Sequence, residues 1–288
     1  MTNVPLAMRW ALYALGAVDG QRVRRPRDPV AAWLLRRQPG LLPPTANPAV
    51  LTMIRARASV VDRMIEEEVA RARRMSLELG YWGFGGGFDA RWYRLTALMG
   101  DVVRSYREIE ESPLLELKAE LLDESTFARA WSRIERRPVE AIDWDLSVEA
   151  HRTPLVVLEG VASRLTVAGA TVLLTRIRES TPGARVILDI PGVFEDRPGQ
   201  PPSILGPSRS RWGSIHDSSA FSIRLADLRR MGYRLLEEVC LSARPDLRGP
   251  SGSVVCSGME ALRILRLVAD GPRGATRPGA DPPSQLAL

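Results

Sequence analysis

The apolar residues Leu51, Ile54, Ala58, Val61, Ile65 and Val69 recur at steps of three and four, the period that lines up one face of a helix. The spacing predicts a long helix over 49–79 with one side buried. A second apolar stretch, 6–18, is interrupted by Arg9 and predicts an amphipathic helix. Further on, short apolar runs bounded by turn residues predict strands at 101–110, 138–146, 153–161, 184–190, 233–241 and 253–257. Helical patterns fill the intervals at 114–122, 125–136, 166–180, 222–231 and 258–269. Strands alternating with helices imply an α/β domain whose parallel sheet is covered on both faces, with ligands outside the carboxyl ends of the strands.

Proline and glycine punctuate this pattern. Residues 38–48 form a loop, and 191–220 form a longer one, a length that marks a lid, a binding loop or a disordered segment. The tail, 271–288, is rich in Pro and Gly and is expected to be disordered. The chain thus divides into an N-terminal helical extension, 1–48, and one α/β domain, 49–270. Its 288 residues at 45% hydrophobic content are enough for a single large core.

Charge narrows the partners. The formal net charge is +6, yet Lys118 is the sole lysine, so arginine carries nearly all of the positive charge. Most arginines alternate with acids, as where Arg63, Glu66, Glu67 and Glu68 precede Arg71, Arg73 and Arg74, a pattern of solvated helix faces. The cluster Arg22, Arg24, Arg25 and Arg27 is either a solvated loop or a contact to an anion. No basic stripe with interleaved aromatics suggests a nucleic-acid partner. The apolar run at 6–18 is too short to span a bilayer and lacks the flanks of a secretory leader. Cys240 and Cys256 lie far apart without metal-ligand spacing and suggest no disulfide framework. They are expected to be buried thiols of a cytoplasmic protein that binds no metal.

Candidate chemistry concentrates at 80–95, which predicts a short apolar strand, a glycine turn, the acid Asp89 and the start of a helix near it. Gly85, Gly86 and Gly87 let the backbone bend sharply and leave no Cβ between main chain and ligand. Such a run serves either as a tight turn or as a place where a cofactor rests on peptide groups near a helix N-terminus. With the flanking residues, Phe84-Gly85-Gly86-Gly87-Phe88-Asp89-Ala90-Arg91-Trp92-Tyr93-Arg94-Leu95 resembles the Leu-Gly-Ala-Gly-Phe/Leu-Asp-Thr-Arg…Arg-Leu signature of the leucine carboxyl methyltransferase family. That family includes the O-methyltransferases of bacterial polyketide pathways.

Other segments extend the resemblance over about 28–260. Asp28-Pro29 matches an Asp-Pro ahead of the family's domain, and equally an N-cap with proline in the first turn. Arg55-Ala-Arg57-Ala-Ser-Val-Val-Asp62 is similar to Ala-Arg-Thr-Arg-x-Ile-Asp, with Ser59 in place of the second arginine. Glu108-Ile109-Glu110 is similar to Glu-Val-Asp, with Lys118 eight residues on. Asp145-Leu146 follows the predicted third strand. Val156-Val157-Leu158-Glu159-Gly160-Val161 is similar to Val-Val-x-Glu-Gly-Val, after which Arg164 stands where the family has an aromatic.

The resemblance implies a Rossmann-like class I methyltransferase fold, a seven-stranded, mostly parallel sheet with helices on both faces, and S-adenosylmethionine as cofactor. It also implies roles: Arg57 for the cofactor's carboxylate, Gly85 and Gly87 for the turn beneath it, Glu110 for the ribose, Asp145 and Leu146 for the adenine, and Glu159 beside the methionine portion. The implied substrate is a small secondary-metabolite carboxylate or hydroxyl, free or borne on a carrier protein. A carboxylate acceptor needs alignment more than a catalytic group; a hydroxyl acceptor calls for a base. His216, in the loop after the 184–190 strand, is on the correct edge for that base, whereas His151 lies at the far edge and is expected to be structural.

Overall fold

The computed structural model describes residues 6–16, 28–44, 48–139, 152–161, 165, 167–190, 193–194, 223–243 and 262–270. Asp145, Leu146, His151, Arg164, His216, Cys256 and the Arg22–Arg27 cluster lie outside them, as does the strand predicted at 253–257.

Two helices begin the chain, α1 (Leu6–Gly16) and α2 (Pro29–Arg37). The Asp28 carboxylate caps α2 by accepting from the amides of Val30 and Ala31 at 2.9 and 3.0 Å. The long helix α3 spans Pro48–Arg74, five residues short of the sequence expectation. It stops because the Leu77 amide donates to the Ala72 carbonyl and the Ser76 amide to that of Arg73, a closure that requires a left-handed residue just past the end. Ser76 takes that conformation, at φ 51°, and residues 77–79 turn into the first strand.

That strand, β1 (Glu78–Phe84), leads through the glycine turn to two single-turn helices, α4 (Arg91–Arg94) and α5 (Thr96–Met99). No long helix starts near Asp89. The chain continues through β2 (Val103–Glu110), α6 (Ser112–Leu122), α7 (Ala128–Trp131) and β3 (Glu135–Pro138). The expected helix over 125–136 is thus one turn long, and the third strand begins earlier than 138. Next come β4 (Arg152–Leu158), α8 (Val167–Ser180) and β5 (Arg185–Ile190). A short parallel pair, β6 (Val193–Phe194) with β7 (Ile223–Arg224), brackets the 195–222 segment. The chain closes with α9 (Leu225–Arg230), β8 (Tyr233–Cys240) and β9 (Arg263–Ala269).

The last element corrects the sequence reading, which expected a helix over 258–269. It is a strand inserted between β5 and β8 and antiparallel to both. Ile264, Leu265, Leu267 and Val268 are all buried, so the strand is apolar on both faces and shows no alternation. Arg263 and Arg266, three apart, imitate a helix period, yet Arg263 pairs with Glu238 and Arg266 with Glu67 and Glu237.

The resulting seven-stranded sheet has the order β3-β2-β1-β4-β5-β9-β8 and is parallel except at β9, in agreement with the expected architecture. Alternate residues of each central strand serve opposite cores. Trp82, Phe84, Val156, Leu158 and Leu188 pack against Leu174 and Ile177 of α8. Tyr81, Leu155, Val157 and Ile187 pack against Val61, Met64 and Ile65 of α3. A third core joins Leu12, Val30 and Leu34 of α1 and α2 to Phe88, Ala90 and Trp92, so the N-terminal extension lies over the segment that follows the glycine turn. Among the described residues no helix is long and apolar enough to cross a membrane. Cys240 is half-buried, with its Sγ 2.9 Å from Ser242 Oγ.

Candidate functional site

Strand order runs outward in opposite directions from β1 and β4, which makes their carboxyl ends the place where such sheets open a crevice. Register brings the sequence candidates there together. Phe84 pairs with Ile109 on one side and Leu158 on the other, and Leu158 pairs with Leu188. The next residues along, Gly85, Glu110, Glu159 and Asp189, are therefore level along one edge.

The glycine turn is held from below. Gly85 and Gly87 have φ of 62° and 57°, the left-handed region in which a Cβ is disfavoured. The Gly87 amide donates to Glu110 Oε2 at 2.8 Å, and the Glu111 amide donates to Oε1 of the same carboxylate at 3.1 Å. Lys118, expected beside Glu110, instead donates to the Gly87 carbonyl at 2.8 Å and pairs with Glu108. Its ammonium lies 5.2 Å from the Trp131 ring centroid. One carboxylate and one ammonium thus fix the amide and the carbonyl of the same glycine.

Arg57 reaches the edge from α3 and already has partners. Its Nε donates to Glu159 Oε1 at 2.9 Å and its Nη1 to Asp189 Oδ2 at 3.2 Å. The other oxygen of Asp189 accepts from the Gly160 amide at 2.7 Å. Asp189 was not among the sequence candidates. Its signal was an acid near the end of an apolar strand, a burial that demands a partner.

Beside this pair lies a second group that sequence reasoning missed as a unit. Arg91 donates to Asp62 at 2.6 Å and to Asp89 at 2.5 Å, and its Nη2 is in ion-pair contact with Glu159 Oε2. Arg94 donates to Asp62 Oδ1 at 2.9 Å and to Asp28 at 3.1 Å, and pairs with Asp89. Asp28 also accepts from the Ala90 amide at 3.1 Å, so one buried carboxylate caps α2 and ties it to the chain beyond the glycine turn. The clue was the placing of Asp89, Arg91 and Arg94 in the signature itself.

The electrostatics follow from burial. Burial opposes the charged form of each arginine, but the surrounding carboxylates outweigh it and hold Arg57, Arg91 and Arg94 above their ordinary pKa. Asp89 is pushed up by burial yet ends lowered, because Arg91 and Arg94 stand beside it. Asp28 and Asp189 end raised, since burial exceeds what Arg94 and Arg57 return to them. Glu108 is likewise raised by burial despite Lys118.

Between these groups lies a cavity of about 20 Å³, room for roughly one water molecule. Its walls include Tyr81, Phe84, Trp92 and Tyr106 together with Glu108 and Glu159. The five described candidates, Arg57, Gly85, Gly87, Glu110 and Glu159, therefore share one edge, and of them Glu159 lines the cavity.

No family model matches the chain, and no curated protein matches it. Solved structures do. A candidate methyltransferase from Thermobifida fusca YX is 14% identical, with 92% of this chain and 94% of that one covered at a TM-score of 0.50. A DUF574 family protein from Streptomyces avermitilis MA-4680 is 13% identical, with 92% and 97% covered at the same TM-score. At such identities the likeness establishes a shared α/β fold.

Proposed function

We propose that the chain is an S-adenosylmethionine-dependent O-methyltransferase acting on a small secondary-metabolite carboxylate or hydroxyl. The observation that carries this reading is the meeting of Arg57, Gly85, Gly87, Glu110 and Glu159 on the carboxyl edge at β1 and β4. The fold shared with a candidate methyltransferase supports it. When bound, the cofactor supplies a methyl group on a sulfonium, ready for transfer.

The chemistry of the residues fits this group. Glu110 spends one lone pair of each oxygen on a backbone amide and retains acceptor capacity for ribose hydroxyls. The Arg57 guanidinium has the planar fork that a carboxylate requires. Its bond to Glu159 yields a carboxylate for an ammonium when that bond opens. The protein's part in transfer is alignment and exclusion of water, which supplies much of the acceleration when the acceptor is already a carboxylate.

Two features favour a second reading. The cavity of about 20 Å³ is lined by Glu159 but by none of the other four candidates, and Arg57 is engaged twice. A degenerate member that binds cofactor or a partner protein without transferring methyl is consistent with both. Titration calorimetry with S-adenosylmethionine separates the possibilities when combined with a labelled methyl donor and candidate acceptors. Binding that weakens in Arg57→Ala and Glu110→Ala, with label transferred, supports the methyltransferase. The same binding without transfer supports the degenerate member. Tight binding unchanged in both variants removes the site assignment.

A further inference from the structure

The opposite edge of the sheet holds a concentration of positive charge that the proposed function does not use. Arg185 begins β5 and Arg234 is the second residue of β8, and both pair with Val268 of β9. Cross-strand partners share a face of the sheet, as do residues two apart on one strand. Arg185, Arg234 and Arg266 therefore stand together on the face that α3 covers. Glu68 of α3 meets them: its carboxylate lies 3.6 Å from Arg185 Nε and 3.5 Å from Arg266 Nη1, and accepts from Arg71 Nε at 2.7 Å. Asp189 is four residues beyond Arg185, about 13 Å along an extended strand. The group is thus separate from the edge that carries Gly85, Glu110 and Glu159.

Charge does not balance here. Glu67 and Glu237 are each shared by Arg63 and Arg266, two acids against two bases. That leaves Glu68 for Arg71, Arg185 and Arg234, an excess of two positive charges among the described residues. Burial, with the guanidinia of Arg71, Arg234 and Arg266 nearby, holds Arg185 below its ordinary pKa despite Glu68. Hydrogen bonding is incomplete as well. Arg71 Nη1 donates to the Met75 sulfur at 3.3 Å, a weak acceptor, and its Nη2 is buried with no hydrogen-bond partner among the described residues. The Nε of Arg266 is in the same state, and the Glu68 oxygen is beyond hydrogen-bond reach of Arg185. Buried donors without acceptors are costly. Planar guanidinium forks gathered at one place match the several oxygens of a phosphate group.

We propose that the amino edge of β5 and β8, with Arg71 of α3, binds a phosphate group of a small soluble molecule through Arg71, Arg185 and Arg234. The site is independent of the methyltransferase reading, and no bond is made or broken in it.

The test is calorimetric titration with inorganic pyrophosphate, at an ionic strength held constant with sodium chloride so that general screening does not contribute. Wild-type protein is expected to bind it saturably. Arg234 is exposed and makes no ion pair among the described residues, so Arg234→Gln leaves the fold intact. That variant should bind about 10-fold more weakly, the size of one charge-assisted hydrogen bond, and Arg71→Gln should do the same. Absence of saturable binding overturns the site, and so does unchanged affinity in Arg234→Gln. Saturating S-adenosylmethionine should leave pyrophosphate binding unaltered; displacement would put the anion on the carboxyl edge and overturn the assignment. Flotation with vesicles of phosphatidic acid and phosphatidylcholine separates a lipid headgroup from a soluble phosphate. Capture by those vesicles without any response to pyrophosphate overturns the proposal in favour of a membrane surface.

Discussion

Asp28 is the joint between the N-terminal extension and the segment that follows the glycine turn, and its removal has a magnitude that the geometry sets. Its Oδ1 caps α2 through Val30 and Ala31, and its Oδ2 holds the Ala90 amide and Arg94. In Asp28→Ala the lost cap costs about 1 kcal/mol. The Ala90 amide, in a residue 1% exposed, is left unpartnered at a further cost of about 1–3 kcal/mol. Arg94 keeps Asp62 and Asp89, and removing a carboxylate held uncomfortably by burial returns part of the loss. The expected net is about 3 kcal/mol. Asp28→Asn can keep the Oδ1 cap while turning an NH2 toward Ala90 and Arg94, so it should cost about 1 kcal/mol less. Urea unfolding measures both values, and hydrogen exchange should show the amides of α1 and α2 losing protection before those of β1 and β4. A change below about 0.5 kcal/mol in Asp28→Ala, within the range of an ordinary surface substitution, refutes the reasoning. So does equal damage by Asn and Ala.

Other expectations are narrower. Ser76→Gly removes a Cβ from the left-handed position that ends α3 and should stabilise by up to about 1 kcal/mol in thermal denaturation; destabilisation would contradict the closure described. Trp131, fully buried with Lys118 and Arg136 both near its ring, should cost about 3–5 kcal/mol as Trp131→Ala and visibly less as Phe, by chemical denaturation. Linkage gives opposite signs for two acids. Asp89 is lowered, so its contribution is present above its ordinary pKa and lost as pH falls through the folded value. Glu108 is raised, so its contribution is full at low pH and lost as pH rises through the folded value. The cost of Glu108→Gln relative to wild type should therefore shrink between pH 4 and pH 7; growth over that range would reverse the assignment.

Much of the fold was legible because local pattern and tertiary need agreed. The long amphipathic run announced α3, the Asp28-Pro29 pair announced the cap of α2, and the apolar runs announced β2, β4, β5 and β8. They failed where the two diverged. The β9 segment is apolar on both faces, so periodicity could not separate it from a buried helix, and only its place between β5 and β8 made it a strand. Helix α3 ended where Ser76 could be forced left-handed, which residue type alone does not advertise.

The site divides in the same way. Sequence determined the chemical inventory at the strand ends, Gly85, Gly87, Glu110 and Glu159 with Arg57 on α3, because spacing along strands fixes which edge a residue reaches. Only the tertiary structure decided the pairing. Lys118 went to Glu108, Arg57 to Glu159 and Asp189, and Arg91 and Arg94 to acids drawn from three distant segments. Coulomb attraction in a buried space depends on separations of a few ångströms, and those are set by packing between elements that the linear order leaves far apart.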